Sequence, residues 1–173
     1  ASGTGTQDRL TGNTRDNVIW GREGNDVLDG GDSGYDTLRE TRAGNWQLFG
    51  TTLTNAAIGE TDTFNAGSFD EISLVGDDNP NTLDASSFGG LVRLDGAGGD
   101  DILIGGSGTN YLTGGTGRDT INGSRGHDIV TESADADMVL TDTGLTIGGE
   151  VDTYVGVIEE VVLTGGENPN VLN

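Results

Sequence analysis

Residues 96–131 consist of four consecutive nine-residue segments, GAGGDDILI, GGSGTNYLT, GGTGRDTIN and GSRGHDIVT. The first position is always glycine (Gly96, Gly105, Gly114, Gly123), and so is the fourth (Gly99, Gly108, Gly117, Gly126). The eighth is aliphatic (Leu103, Leu112, Ile121, Val130), and the sixth reads Asp101, Asn110, Asp119, Asp128. With 32 glycines in 173 residues, glycine at all eight prescribed places has odds on the order of one in a million by chance, so the period is genuine. A segment with one aliphatic residue in nine folds poorly by burial alone. Burying that side chain returns about 1.5–3 kcal/mol, against about 1–2 kcal/mol for each backbone ordered. Position 6 also stacks carboxylates near one another, which calls for a cation among them. A hard divalent ion held by carboxylate and carbonyl oxygens fits, and glycine at positions 1 and 4 is expected to supply the left-handed backbone that aims carbonyls inward.

The segments closely resemble G-G-x-G-x-D-x-U-x, the calcium-binding nonapeptide of the RTX (repeats-in-toxin) family. The resemblance implies an all-β fold, a parallel β-roll or β-solenoid with calcium bound between stacked glycine-rich turns. Positions 1–6 would form a turn, positions 7–9 a short strand, and two nonapeptides one coil. Ligands would then pair two repeats apart, Asp101 with Asp119 and Asn110 with Asp128, completed by backbone carbonyls of the glycine turns at Gly99, Gly108, Gly117 and Gly126. The first pair is expected to be the tighter site, because Asn110 brings an oxygen but no charge.

A second run, residues 12–39, is eroded: GNTRDNVIW, GREGNDVLD and GGDSGYDTLR. Position 6 is Asn17, Asp26 and Asp36, and position 8 is Ile19, Leu28 and Leu38. Arg15 stands at a glycine position, where a left-handed backbone is costly, which weakens the expected Asn17–Asp36 site. Asp26 has no evident partner two repeats away; it stands with Asp36 and Asn110 as a candidate ligand, behind Asp101, Asp119 and Asp128.

The nonapeptides belong to a longer repeat. Glu40, Leu48, Leu53 and Gly59-Glu60-x-Asp62-Thr63 match Glu132, Leu140, Leu145 and Gly149-Glu150-x-Asp152-Thr153, and Asn79-Pro80-Asn81-x-Leu83 matches Asn168-Pro169-Asn170-x-Leu172. Residues 1–21 also align on 85–105. Two units follow: 1–84, with nonapeptides 12–39 and cassette 40–84, and 85–173, with nonapeptides 96–131 and cassette 132–173. The cassettes carry β-rich stretches such as Trp46–Phe49, Ile72–Val75 and Val161–Thr164 and no capped helical pattern, so they are expected to be less regular coils of one continuous rod. No atypical polar capping repeat is evident, which suggests links cut from a longer array, or end-to-end assembly of copies into filaments.

Composition bounds the partners. A net charge of -21 argues against nucleic acid and anionic membranes. There is no cysteine, so disulfides cannot brace the fold. Neither a signal-peptide pattern nor an apolar run of membrane-spanning length is evident, so membrane insertion is not expected. Weak calcium sites suit the outside of a cell, and the RTX resemblance implies a bacterial protein exported unfolded, which folds on meeting calcium. An enzyme is not expected: His127, the sole histidine, stands at a variable turn position with no nucleophile beside it. Acidic pairs such as Glu60/Asp62 and Glu150/Asp152 recur in both units, as solvated turns or as weaker calcium sites. The expected function is a calcium-binding structural extension module of a secreted or surface protein. The alternative is an adhesin or carbohydrate-binding module using Trp20 and Tyr111 on one face, and a calcium-dependent polysaccharide-processing enzyme stands third.

Overall fold

The computed structural model describes residues 2, 3 and 5–173, and among them it is entirely β, with no helix. Short strands follow the nonapeptide period. In the first unit they are β1 (Arg9–Thr11), β2 (Asn17–Ile19), β3 (Val27–Asp29), β4 (Asp36–Glu40), β5 (Trp46–Phe49), β6 (Thr52–Asn55), β7 (Glu60–Phe64), β8 (Glu71–Val75) and β9 (Thr82–Asp84). In the second they are β10 (Leu91–Asp95), β11 (Ile102–Ile104), β12 (Thr109–Thr113), β13 (Thr120–Asn122), β14 (His127–Ala134), β15 (Met138–Thr141), β16 (Gly144–Ile147), β17 (Glu150–Val155) and β18 (Glu160–Gly165). Positions 7–9 of the second run do form strands; the six residues before β11 and β13 form turns, whereas β12 and β14 begin two residues earlier, at Thr109 and His127.

Successive nonapeptides alternate between two sheets. One has the order β1-β3-β7-β6-β5-β9-β11-β13-β17-β16-β15, the other β18-β14-β12-β10-β8-β4-β2. Parallel neighbours lie two repeats apart, as in Leu103 opposite Ile121 and Leu112 opposite Val130. The position-8 side chains of both sheets point inward and join one cluster with Ile72, Leu74, Leu83, Val92 and Leu94. The core is therefore a ladder about one side chain deep, fed from two walls.

The cassettes differ from the expected irregular coils. β5, β6 and β7 form an antiparallel meander inserted between β3 and β9, and β15, β16 and β17 form its counterpart beyond β13. Two-residue turns make this possible: Gly148 and Gly149, at φ 58° and 106°, close β16 onto β17, the backbone a tight hairpin of this hand requires. Trp46 is fully buried where its counterpart Met138 also is.

Coil for coil, Asp8 takes the place of Asp101, since its N–H donates to Asp26 Oδ1 at 2.7 Å just as that of Asp101 donates to Asp119 Oδ1 at 2.8 Å. Residues 5–21 thus correspond to 98–114 and not, as the alignment suggests, to the 85–105 stretch, which includes β10 with Val92 at the inward ligand position.

Candidate metal centre

Each strand alternates inward and outward side chains, so the residue two before the core aliphatic also points inward. That residue is position 6. Its carboxylate accepts the N–H of the residue at the same position one coil earlier. Asp101 Oδ1 accepts from Asn81 at 2.7 Å, Asp119 Oδ1 from Asp101 at 2.8 Å, and Asp152 Oδ1 from Asp119 at 3.0 Å. The first unit repeats the pattern, with Asp26 accepting from Asp8 and Asp62 accepting from Asp26 at 2.8 Å. A second column runs along the other wall: Asp36 accepts from Asn17 at 2.9 Å, Asp70 from Asp36 at 2.9 Å, and Glu159 from Asp128 at 2.8 Å. Asp26, Asp36, Asp101, Asp119 and Asp128 are all buried.

The remaining oxygens explain why this ladder is charged. Oδ2 of Asp26, Asp62, Asp101 and Asp119 is buried without any hydrogen-bond partner. Burial pushes the carboxyls of Asp62 and Asp101 up to about 7, with neighbouring carboxylates adding to the rise and backbone N–H donors opposing it. Burial also raises Asp26, Asp119 and Asp128. Glu40 and Glu132, which accept from the N–H of Gly21 and Gly114 one coil earlier on the same wall at 2.8 and 2.6 Å, are pushed up to about 8 by the same burial. Desolvated carboxylates with an unpartnered oxygen demand a positive neighbour.

Glycine at position 1 serves a different purpose from the expected one. It is not left-handed in this run; a Cβ on Gly96 would lie 2.2 Å from Asp101 Oδ2 and 2.6 Å from the Gly114 carbonyl. The absent side chain clears the space into which the orphan oxygen and the next coil's carbonyl both point. Left-handed backbone falls at position 2 (Ala97, Gly115, Ser124) and at position 4 in Gly99, Gly117 and Gly126, though not in Gly108.

The turn at Asn110 gathers the most oxygen. Its Nδ2 has the carbonyls of Gly123, Gly108, Gly106 and Arg125 at 3.1, 3.2, 3.4 and 3.5 Å, with Asp128 Oδ1 closer still. An amide carries two N–H bonds, so five acceptors around one nitrogen exceed what it can satisfy. The surplus is an all-oxygen cage of four carbonyls and a carboxylate, a donor set that suits a hard divalent cation. The corresponding Asn17 Nδ2 has the Asn13 carbonyl at 3.2 Å, Asp36 Oδ1 at 2.9 Å and the Arg15 carbonyl closer.

The structure brings together Asp101 with Asp119, Asn110 with Asp128, and Asn17 with Asp36. The last pair forms despite Arg15, which avoids the left-handed region that was expected to strain it; in the following nonapeptide Arg22, at φ 68°, is left-handed at position 2. Asp26, left without a partner by sequence spacing, sits between Asp8 and Asp62 because the meander lets the column continue across 36 residues. Glu60, Asp62 and Asp152 are buried, not solvated turn residues, while His127 is exposed. Asp62 and Asp152 were expected as solvated turn residues or weaker calcium sites; sequence reasoning missed Asp8, Asn81, Glu40 and Glu132. Among the described residues no three His, Cys, Asp or Glu side chains close into a cage of their own.

The family model described as the RTX calcium-binding nonapeptide repeat (4 copies) matches residues 2–38 and 93–131. These two segments hold Asp8, Asn17, Asp26, Asp36, Asp101, Asn110, Asp119 and Asp128 of the two columns. No curated protein matches the chain.

Proposed function

Residues 2–38 and 93–131 are RTX calcium-binding nonapeptide repeats, and on that premise we propose that the chain is an extracellular bacterial extension module whose folding calcium drives. Asp101 and Asp119, Asn110 and Asp128, and Asn17 and Asp36 are the proposed side-chain ligands, with Asp26 joining through Asp62. Carbonyls of the glycine turns, including Gly108 and its counterparts at Gly99, Gly117 and Gly126, complete the shells. A bound divalent ion would supply the charge that the orphan Oδ2 atoms lack and would tie each turn to the one two repeats on.

The observation that carries this reading is the five-oxygen surround of Asn110 Nδ2. Asn110 Oδ1 accepts the N–H of Gly106 at 2.7 Å; turning the amide exchanges two nearly isosteric atoms and brings Oδ1 to the cage at the cost of that one bond, which the ion has to offset. The division at residues 84 and 85 is retained as the proposed repeat unit of one continuous rod. β1 and β18 stand at ends of their sheets, where a further coil or a second copy can extend the sheet by the same backbone pairing, which supports end-to-end assembly; β15 is already covered by Val171–Asn173, which pair with Met138 and Leu140.

The test is far-UV circular dichroism during a calcium titration of EGTA-treated protein, with magnesium as control. A cooperative rise of β signal with calcium and none with magnesium is the expected result. A chain equally folded in EGTA overturns the calcium-driven step.

A further inference from the structure

The outer face of the seven-stranded sheet carries a row that the metal ladder does not use. Continuing the β2–β4 register sets Trp20 opposite Arg39; Arg39 pairs with Ser73, Ser73 with Arg93, and Arg93 with Tyr111. These five residues alternate with buried neighbours, so their side chains leave the same face. Strands are spaced about 4.8 Å apart, so the two arginines stand about 9.6 Å apart, with an aromatic ring beyond each. The Arg39 guanidinium lies 5.7 Å from the Trp20 ring centre and that of Arg93 lies 4.3 Å from the Tyr111 ring centre. Two adjoining clefts of about 480 and 290 Å³ run along this face, and Arg39 lines both.

Three features separate this row from ordinary surface. The chain has 29 acidic residues, yet Arg39 forms no ion pair among the described residues, and Arg93 is held by Glu71 through Nε alone. Trp20 Nε1 is buried and has no hydrogen-bond partner. The fold does not require the row either, because the positions corresponding to Trp20 and Arg39 are Thr113 and Thr131, whose hydroxyls simply bond each other at 2.7 Å.

We propose that this row binds an extended acidic polysaccharide, with carboxylates of alternate sugars on Arg39 and Arg93 and sugar ring faces on Trp20 and Tyr111. Guanidinium groups pair with carboxylates in a planar, two-pronged geometry, and indole and phenol rings offer flat apolar surface with a polar edge. The net charge of -21 selects against a polymer bearing a charge on every unit, as nucleic acid does, and favours one charged at every second unit, which matches arginines on every second strand. At about 0.15 M salt, charges more than about 8 Å away are largely screened, so the local arginines govern the contact. The row faces away from the carboxylate ladder, so the proposal stands or falls independently of how calcium is held.

The experiment is isothermal titration calorimetry of the calcium-saturated chain with a hyaluronan hexasaccharide, charged on alternate sugars, and with uncharged cellohexaose. Binding of the first and not the second is expected. It should weaken at least about tenfold, roughly 1.4 kcal/mol, in the double variant Arg39→Ala/Arg93→Ala and in Ser73→Glu, which leaves both arginines in place but offers them a competing carboxylate. Trp20→Ala should weaken it several-fold. Arg118→Ala, which removes the same charge from an exposed turn, should leave it unchanged, and circular dichroism confirms that each variant is folded. Absence of hyaluronan binding, equal binding of cellohexaose, or an equal loss in Arg118→Ala overturns the proposal.

Discussion

Around Trp20 the first unit places Arg22, Arg39 and Arg42, whereas the corresponding coil of the second unit places Thr113, Gly115, Thr131 and Ala134, yet beneath both surfaces the same carboxylates hold the same backbone. Glu40 caps Gly21 as Glu132 caps Gly114, and Asp26 donates to Asp62 as Asp119 donates to Asp152. The interior tolerates little change because each carboxylate satisfies a buried N–H, and each position-1 glycine clears the space its oxygen occupies. The exterior carries no such constraint. Sameness inside therefore marks what the coil needs to form, and difference outside marks where binding can specialise.

The strongest way to break that comparison is to remove one ladder carboxylate from each unit. Asp119→Ala strands the N–H of Asp101 and takes a donor from the orphan-oxygen site. The lost charged hydrogen bond and unsatisfied buried group together cost about 3 kcal/mol or more. Asp26→Ala should cost the same within experimental scatter, measured as the midpoint of urea unfolding at saturating calcium. A cost for Asp26→Ala confined to a few tenths of that for Asp119→Ala would mean the eroded run is not part of the same ladder.

Acidity probes the ladder without touching a residue. A carboxyl whose folded-state pKa is raised keeps its proton in the fold to higher pH than in the unfolded chain. Its contribution to the metal-free fold is therefore complete below the ordinary carboxylate range and is lost as pH rises through the folded value. Asp152 at about 6, Asp62 and Asp101 at about 7, and Glu40 and Glu132 at about 8 place that loss between roughly pH 4 and 8. In EGTA, β signal should be stronger at pH 5 than at pH 8, and calcium should restore it at pH 8. Equal metal-free signal at both values would show that the ladder carboxylates are not desolvated.

Much of this was legible in the chain. The nine-residue period located the turns, the strands and the Asp101–Asp119 and Asn110–Asp128 pairs, because inward alternation couples position 6 to position 8. Asp36-x-Leu38-x-Glu40 carries the same alternation one step further, so the buried Glu40 was readable, but an inward glutamate looks like a solvated residue until a coil lies across from it. Asp8 escaped notice because its repeat has Gly5 at the third place instead of the fourth, and Asp62 read only as a solvated turn or a weaker site because no glycine precedes it at either ligand-turn position. The meanders were hidden by their lateral route: β5 pairs with β9, 37 residues on, so the order of strands in the sheet reverses the order in the chain. Only Gly148-Gly149 between alternating residues hinted at a hairpin.

The cages around Asn110 and Asn17 sharpen the comparison further. Asn110→Asp replaces an amide by a second carboxylate facing Asp128, and more ligand charge means tighter calcium. The apparent calcium affinity of folding should rise by about tenfold, while the metal-free fold loses stability because two buried like charges now face each other. A titration in which affinity is unchanged would place the ion away from this cage.

Arg15→Gly is the finest test, because period and geometry disagree about it. Glycine would restore the repeat pattern, so if a left-handed turn were needed there, the substitution would tighten calcium binding at Asn17 and Asp36. Arg15 is not left-handed, however, and its carbonyl already reaches the Asn17 amide. The guanidinium itself makes no ion pair among the described residues, so its removal takes nothing from the cage. Calcium affinity should stay within roughly twofold, and stability should fall by about 0.5–1 kcal/mol through the greater freedom of glycine in the unfolded chain. A marked gain in affinity would mean that the calcium-loaded turn adopts the glycine conformation and that the eroded run is held open by its arginine.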